Sequence, residues 1–312
     1  MTQNTQTLAN RTPGVKDLDQ RLLILLGAVV ALVTALYWNA FQGMHYGWGA
    51  TESYYTHGYL VPFITLFFLW RQREQFMAAP QQPAAIGHLL IVGAILMMLV
   101  GNYLNFMIFG MLSFVPMVFG LSLVLFGIER TKAIWFPLAF LLFMIPMPES
   151  VTQSFALHLK LMATNLAVLT ANGLTLPMVQ DGSFIYFGDD QLLVGEVCGG
   201  LRSLIALLAF GAIMAYISKT RPWAQVFLLI MSAPIAIVSN VFRIFLLCVV
   251  GYFWGSETAA GTFHDVSGVL IFVVAFILFF SLEGLLRRLA PDTTESGDAP
   301  DEGARPSDKE TA

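Results

Sequence analysis

The sequence predicts an all-α polytopic membrane protein of about eight transmembrane helices, with an outer-face amphipathic helix and a short hairpin between spans five and six. Three observations carry that class. Charged residues make up only 12% of the chain, against roughly 25% in soluble domains. Apolar runs long enough to cross a hydrocarbon core of about 30 Å recur along it. Basic pairs fall in every second connection: Arg71 and Arg73, Arg130 and Lys132, Lys219 and Arg221, Arg287 and Arg288. The positive-inside rule then places these pairs and both termini in the cytoplasm, with the intervening connections outside.

Charge and cysteine usage exclude several classes. The net charge of -4 arises in the tail, where Asp292, Glu295, Asp298, Asp301, Glu302, Asp308 and Glu310 face only Arg305 and Lys309. The membrane portion is close to neutral, so the expected surroundings are the lipid bilayer and no nucleic acid. Cys198 and Cys248 cannot form a disulfide framework. No metal is expected, because Cys198, His57 and His264 contain no close ligand pair, and no cofactor is called for. Residues 1–20 read as a disordered polar tail, 21–290 as one multi-pass domain and 291–312 as a disordered acidic tail. The polar start before the first apolar run has the pattern of a retained anchor rather than a cleaved signal.

In chain order, span one covers about 22–40 and is followed by an aromatic loop (Trp38, Tyr46, Trp48, Tyr54), the composition of a membrane interface. Span two covers about 55–70, span three 87–103, span four 106–128 and span five 133–145, which ends in Pro146-Met147-Pro148. Residues 151–171 are helical in pattern, with Ser154, His158, Asn165 and Asn172 along one stripe. This segment is long enough to cross, but crossing would turn Lys219, Arg221, Arg287 and Arg288 outward, so an interfacial or re-entrant helix is expected. Ser183–Phe187 and Leu192–Val194 flank a Gly-Asp turn and predict a hairpin. Spans six (201–217), seven (223–252, with a bend expected at Pro234) and eight (264–286) complete the chain.

Helix arithmetic places three reactive side chains. Cys198 precedes Lys219 by 21 positions, Arg243 follows Arg221 by 22, and His264 precedes Arg287 by 23. At about 1.5 Å per residue these separations are roughly 32–35 Å, about one hydrocarbon thickness, so all three fall at the outer boundary. A thiol at a helix start beside a cation has a lowered pKa, and Arg202 lies four positions beyond Cys198. The amides of Gly199 and Gly200 are candidate oxyanion donors. Arg243 in an apolar run is costly, with Asn240 on its face. His264 transfers protons near neutral pH, and His57 is a rival base.

Each residue also has a plain structural reading. Lone cysteines are most often inert packing, which suits Cys248. Arg243 reads equally as a snorkelling boundary residue, His264 as a hydrated helix-start residue and Arg202 as a structural or headgroup contact. Periodicity alone stops at an outer-facing polar cluster.

Three ordered blocks, Glu196-Val-Cys198-Gly-Gly-Leu-Arg202-Ser203, Ser239-Asn240-Val-Phe-Arg243-Ile244 and His264-Asp-Val-Ser-Gly268, resemble those of the exosortase/archaeosortase family; Thr56-His57-Gly58-Tyr59-Leu60 resembles a further family segment. The resemblance runs from about Leu22 to Arg288. It implies a multi-pass membrane cysteine transpeptidase acting on membrane-anchored proteins with a C-terminal sorting tail, of PEP-CTERM type in many bacteria. Carried over block by block, Cys198 is the nucleophile, Arg243 stabilises the tetrahedral oxyanion and His264 is the acid/base. One departure is Gly199, where many members have serine.

Two other classes compete with a protease or transpeptidase. A multi-span transporter of a lipid-linked sugar or small solute would also use an intramembrane Arg243 and Gly/Pro interruptions, but the chain has no internal repeat. A membrane acyltransferase would form a fatty-acyl rather than a peptidyl thioester on Cys198.

Overall fold

The computed structural model describes residues 15–50, 53–195 and 199–291. The N-terminal residues before 15 and the acidic tail after 291 lie outside the described residues. Fourteen α-helices and a three-stranded sheet make up the described part. Helix α1 (Val15–Leu36) begins inside the stretch expected to be a polar tail.

The chain divides into two compact units, residues 15–49 with 66–146, and 50–65 with 147–291. The first unit holds α1, α2 (Trp38–Gly49), the end of α3 (Val61–Arg71), α4 (Arg73–Ala78), α5 (Ile86–Tyr103), α6 (Met107–Leu112), α7 (Phe114–Phe126), α8 (Ile128–Ala133) and α9 (Trp135–Phe140). Helices α5 and α7 cross where Gly87 meets Gly120: a β-carbon on Gly87 would stand 2.7 Å from the Gly120 carbonyl oxygen. Small residues at such a crossing let two apolar helices pack backbone to backbone where hydrophobic force is absent. At one end of this unit Tyr37 is fully buried, donating to the Ser113 carbonyl at 3.2 Å. At the other, Arg130 donates to the Ala79 carbonyl and to Gln81 Oε1, each at 3.0 Å.

The second unit holds α10 (Glu149–Gly173), strands β1 (Val179–Asp181), β2 (Phe184–Phe187) and β3 (Asp190–Leu193), α11 (Leu201–Ile217), α12 (Pro222–Trp254), α13 (Ser256–Ala260) and α14 (Thr262–Leu289). Helix α12 is its axis, packed against α10, α11 and α14. Alanines make the contact on α10 possible: Ala156, Ala163, Ala167 and Ala171 recur along its buried stripe. The expected hairpin is present as β2 and β3, with Phe184 opposite Leu193 and Phe187 opposite Asp190. β1 adds a third antiparallel strand. The sheet's inner residues Ile185, Phe187 and Leu192 form one core with Ala167 and Ala171 of α10 and Ile244, Leu247 and Cys248 of α12. Cys248 is therefore a packing residue.

By length and apolarity, α5, the α6–α7 pair, α10, α12 and most of α14 qualify as membrane spans among the described residues, and α1 with α2, bent by 66°, passes the test only as a pair. Spans two, five and six correspond to shorter apolar helices, Val61–Arg71, Trp135–Met144 and Leu201–Ile217. The segment expected at the interface, α10, passes the same test as the spans. Hydropathy alone registers these segments as equivalent. Their lengths differ because turns interrupt them, as where α9 tightens into the 3-10 turn Leu141–Met144.

Candidate active site

The site is built from the start of α11, one turn of α12 and one turn of α14, all in the second unit. The chain enters α11 through Gly199 and Gly200. Gly200 has φ 79°, a left-handed conformation, and a β-carbon there would come within 2.5 Å of the Asn240 side-chain nitrogen. Both facts require glycine. Asn240 is 3% exposed and therefore seats the start of α11 directly on α12. At Gly199 the environment differs, since a β-carbon would meet only ordinary contacts, 3.5 Å from the Ala156 carbonyl and from Lys160 Cβ. A side chain at 199 would fit.

Arg243 lies one turn beyond Asn240 on the same face of α12. It is 5% exposed, and its Nε donates to Ser267 Oγ at 3.1 Å. Its Nη2 lies beside Gly268, where a β-carbon would stand 3.9 Å away. Ser267 is fully buried on α14, three residues after His264. Those three residues correspond to a rise of about 4.5 Å and leave positions 264 and 267 on one face. One buried face of α12 thus touches the helix start that follows Cys198 and the turn of α14 that follows His264.

Residues 196–198 lie outside the described residues, so Cys198 is located only by its neighbours in sequence. His264 is the third residue of α14. Arg202 does not turn toward a headgroup: its Nε donates to the Ser53 carbonyl at 2.8 Å. Ser53 Oγ in turn accepts from the Tyr55 amide at 2.9 Å, and the short 3-10 helix Thr56–Tyr59 carrying His57 follows. Arg202 is thus an anchor for the His57 segment. The Tyr55 and His57 rings lie 6.0 Å apart. Two contributors were not legible as such in the sequence. Ser267 is one small residue among many in a helix, and only its spacing from His264 marks it. Lys160 sits on the segment read as separate from the site.

A small space remains among Gly199, Gly200, Asn240, Ala163 and Leu204, with room for about 10 Å³, close to a single water.

A mostly helical chain with several membrane-length apolar helices and a buried arginine defines a multi-pass membrane protein. A family model described as Transmembrane exosortase (Exosortase_EpsH) matches residues 48–281, and the chain belongs to that family. Its members are sorting transpeptidases in general terms, working on membrane-embedded proteins. No curated protein and no solved structure matches the chain.

Proposed function

We propose that this chain is an outer-face cysteine transpeptidase or protease that removes C-terminal sorting tails of PEP-CTERM type from exported, membrane-anchored proteins. The observation that supports it most is the shared face of α12, where Asn240 meets Gly200 and Arg243 meets Ser267. Covalent geometry keeps any residue two positions from Gly200 within about 7 Å of it. In sequence Cys198 stands two positions before Gly200, and His264 three before Ser267, the partner of Arg243.

In this reading the Cys198 thiolate attacks the scissile carbonyl carbon, and the carbonyl π-electrons move to oxygen. The Arg243 guanidinium, with the Gly199 and Gly200 amides, stabilises that oxyanion. Collapse breaks the C–N bond, and the departing amine of the tail takes its proton from the His264 imidazolium. The acyl group stays on Cys198 as a thioester. His264, now neutral, deprotonates an incoming amine or water, which attacks the thioester and returns the thiolate. Arg243 remains charged throughout, as a guanidinium does not lose its proton in proteins.

The orientation belongs to the same reading. Helix α12 has 33 residues, about 50 Å at the α-helical rise, well beyond a core of about 30 Å. With Lys219 and Arg221 at the cytoplasmic boundary, Arg243 falls at the outer one. The last turns of α12 then project outward with the sheet packed on Ile244 and Cys248.

The test is a membrane-anchored reporter bearing a motif–span–basic tail from the same genome. With Cys198→Ala the protein should still reach the membrane while full-length reporter accumulates. Normal cleavage by that variant would remove the proposal. Solute uptake that depends on the chain and survives Cys198→Ala would favour a transporter instead.

A further inference from the structure

The first unit contains an elongated apolar cavity of about 540 Å³ between α1 and the wall formed by α3, α4 and α7. Val30 and Val33 line one side, Leu69, Val118 and Leu125 the other, and among the described residues Arg73 is the one charged side chain that lines it. The polar side chains in the wall are already engaged: Thr34 Oγ1 donates to the Val30 carbonyl at 2.8 Å, and Ser122 shares a 2.8 Å hydrogen bond with Thr131. Such walls give water little to bind, and apolar cavities of this kind take apolar guests.

Length and volume identify the guest. The cavity follows α7 from Phe114 to Phe126, about 18 Å of helix, slightly more than one leaflet's share of a core of about 30 Å. A transmembrane helix of that length, about 10–12 Å across, would need roughly 1,700 Å³. The space is smaller than that, and suits a single hydrocarbon chain.

Arg73 identifies the headgroup. Its guanidinium has five N–H groups. One donates to the Trp70 carbonyl at 2.9 Å while the group stacks 4.6 Å over the Trp70 ring, and the exposed Glu74 carboxylate lies 3.5 Å away. An exposed pair of that kind is weak, and a phosphate can displace it. Arg71 is the nearest other cation in sequence, and Arg130 stacks over Phe76 in the same wall at 5.4 Å.

We propose that this cavity is a binding site for one anionic glycerophospholipid, with an acyl chain between α1 and α7 and its phosphate on Arg73. The site is independent of the peptidase chemistry and belongs to the other unit.

Native mass spectrometry of the full chain in detergent tests it, with equimolar phosphatidylglycerol and phosphatidylcholine as probes. The expected result is a retained single phospholipid with a preference for phosphatidylglycerol of about fivefold, the factor one interfacial cation supplies. Arg73→Gln should abolish the preference, and Arg71→Gln should keep it. Val118→Trp should expel the lipid, while Leu89→Trp, on an exposed part of α5, should retain it. Equal retention of both lipids, equal effects of Arg73→Gln and Arg71→Gln, undiminished retention in Val118→Trp, or displacement by a transmembrane-tail peptide would each overturn the proposal. Arg73→Gln alters a surface residue, so the headgroup readout stands even where Val118→Trp does not fold.

Discussion

At Gly200 two constraints act on one residue. A left-handed φ costs a non-glycine residue about 1–2 kcal/mol, and any side chain would also press on the buried amide of Asn240. Gly200→Ala should therefore lower thermal stability by at least that backbone cost and lower processing more than a loss of folded protein explains. Gly199→Ser should be tolerated, since its β-carbon meets only ordinary contacts; equal damage at 199 and 200, read as processed reporter per folded protein, would contradict the geometry. Ser267 is a positioning residue for Arg243. Ser267→Ala should reduce kcat by about tenfold with little change in KM, the cost of withdrawing one acceptor from a buried donor being about 1–3 kcal/mol. Arg243→Lys keeps the charge and loses the planar fork, so a fall of about 10²–10³ in kcat is expected from the loss of an oxyanion donor. Cys248→Ala, in a core away from the catalytic face, should leave kcat unchanged.

Among the elements, one carboxylate adds polar contacts between the sheet and α13 to the apolar core that the sheet shares with α10 and α12. Asp190 accepts from Ser256 Oγ at 2.6 Å and from the Ser256 amide at 2.8 Å. With the Gln191 amide, these bonds hold its pKa below the ordinary 3.8. A depressed folded pKa contributes stability above the unfolded value and loses it as pH falls through the folded one. Hydrogen exchange in residues 179–193 should therefore quicken as pH drops below the ordinary carboxyl range, after correction for intrinsic exchange. Asp190→Asn should exchange faster at neutral pH and show little of that acid dependence; an unchanged acid response would rule Asp190 out. The hairpin was legible because two short apolar runs, Phe184–Phe187 and Leu192–Val194, flank a Gly-Asp turn. β1 was not, since three residues carry too little alternation to register. Arg243 was conspicuous as a charge in an apolar run, whereas its partner Ser267 looks like any small residue in a packed helix. Equal depth along three helices is an expectation from counting; that α12 touches both neighbours through Asn240 and Arg243 was not legible, because rotation about a helix axis depends on packing.

For the molecule as a whole, composition and basic-residue spacing were enough to indicate a multi-pass helical protein. The number of full-length spans was less accessible, since a hydropathy window sees apolarity and not the turns that stop α3, α9 and α11. The proposed orientation makes its own prediction. In a background lacking both native cysteines, Asp189→Cys should react with an impermeant maleimide in right-side-out spheroplasts, and Arg288→Cys, at an exposed position near the end of α14, only in inverted vesicles. The opposite pattern would put the candidate site on the cytoplasmic side. The central claim is most directly tested at Cys198, by acid-quenched mass spectrometry of the peptide that contains it during turnover of a tail-bearing reporter. The account predicts a hydroxylamine-labile thioester with the mass of the reporter's upstream fragment. An unmodified thiol during active cleavage, or a fatty-acyl mass in place of the peptide, would contradict it.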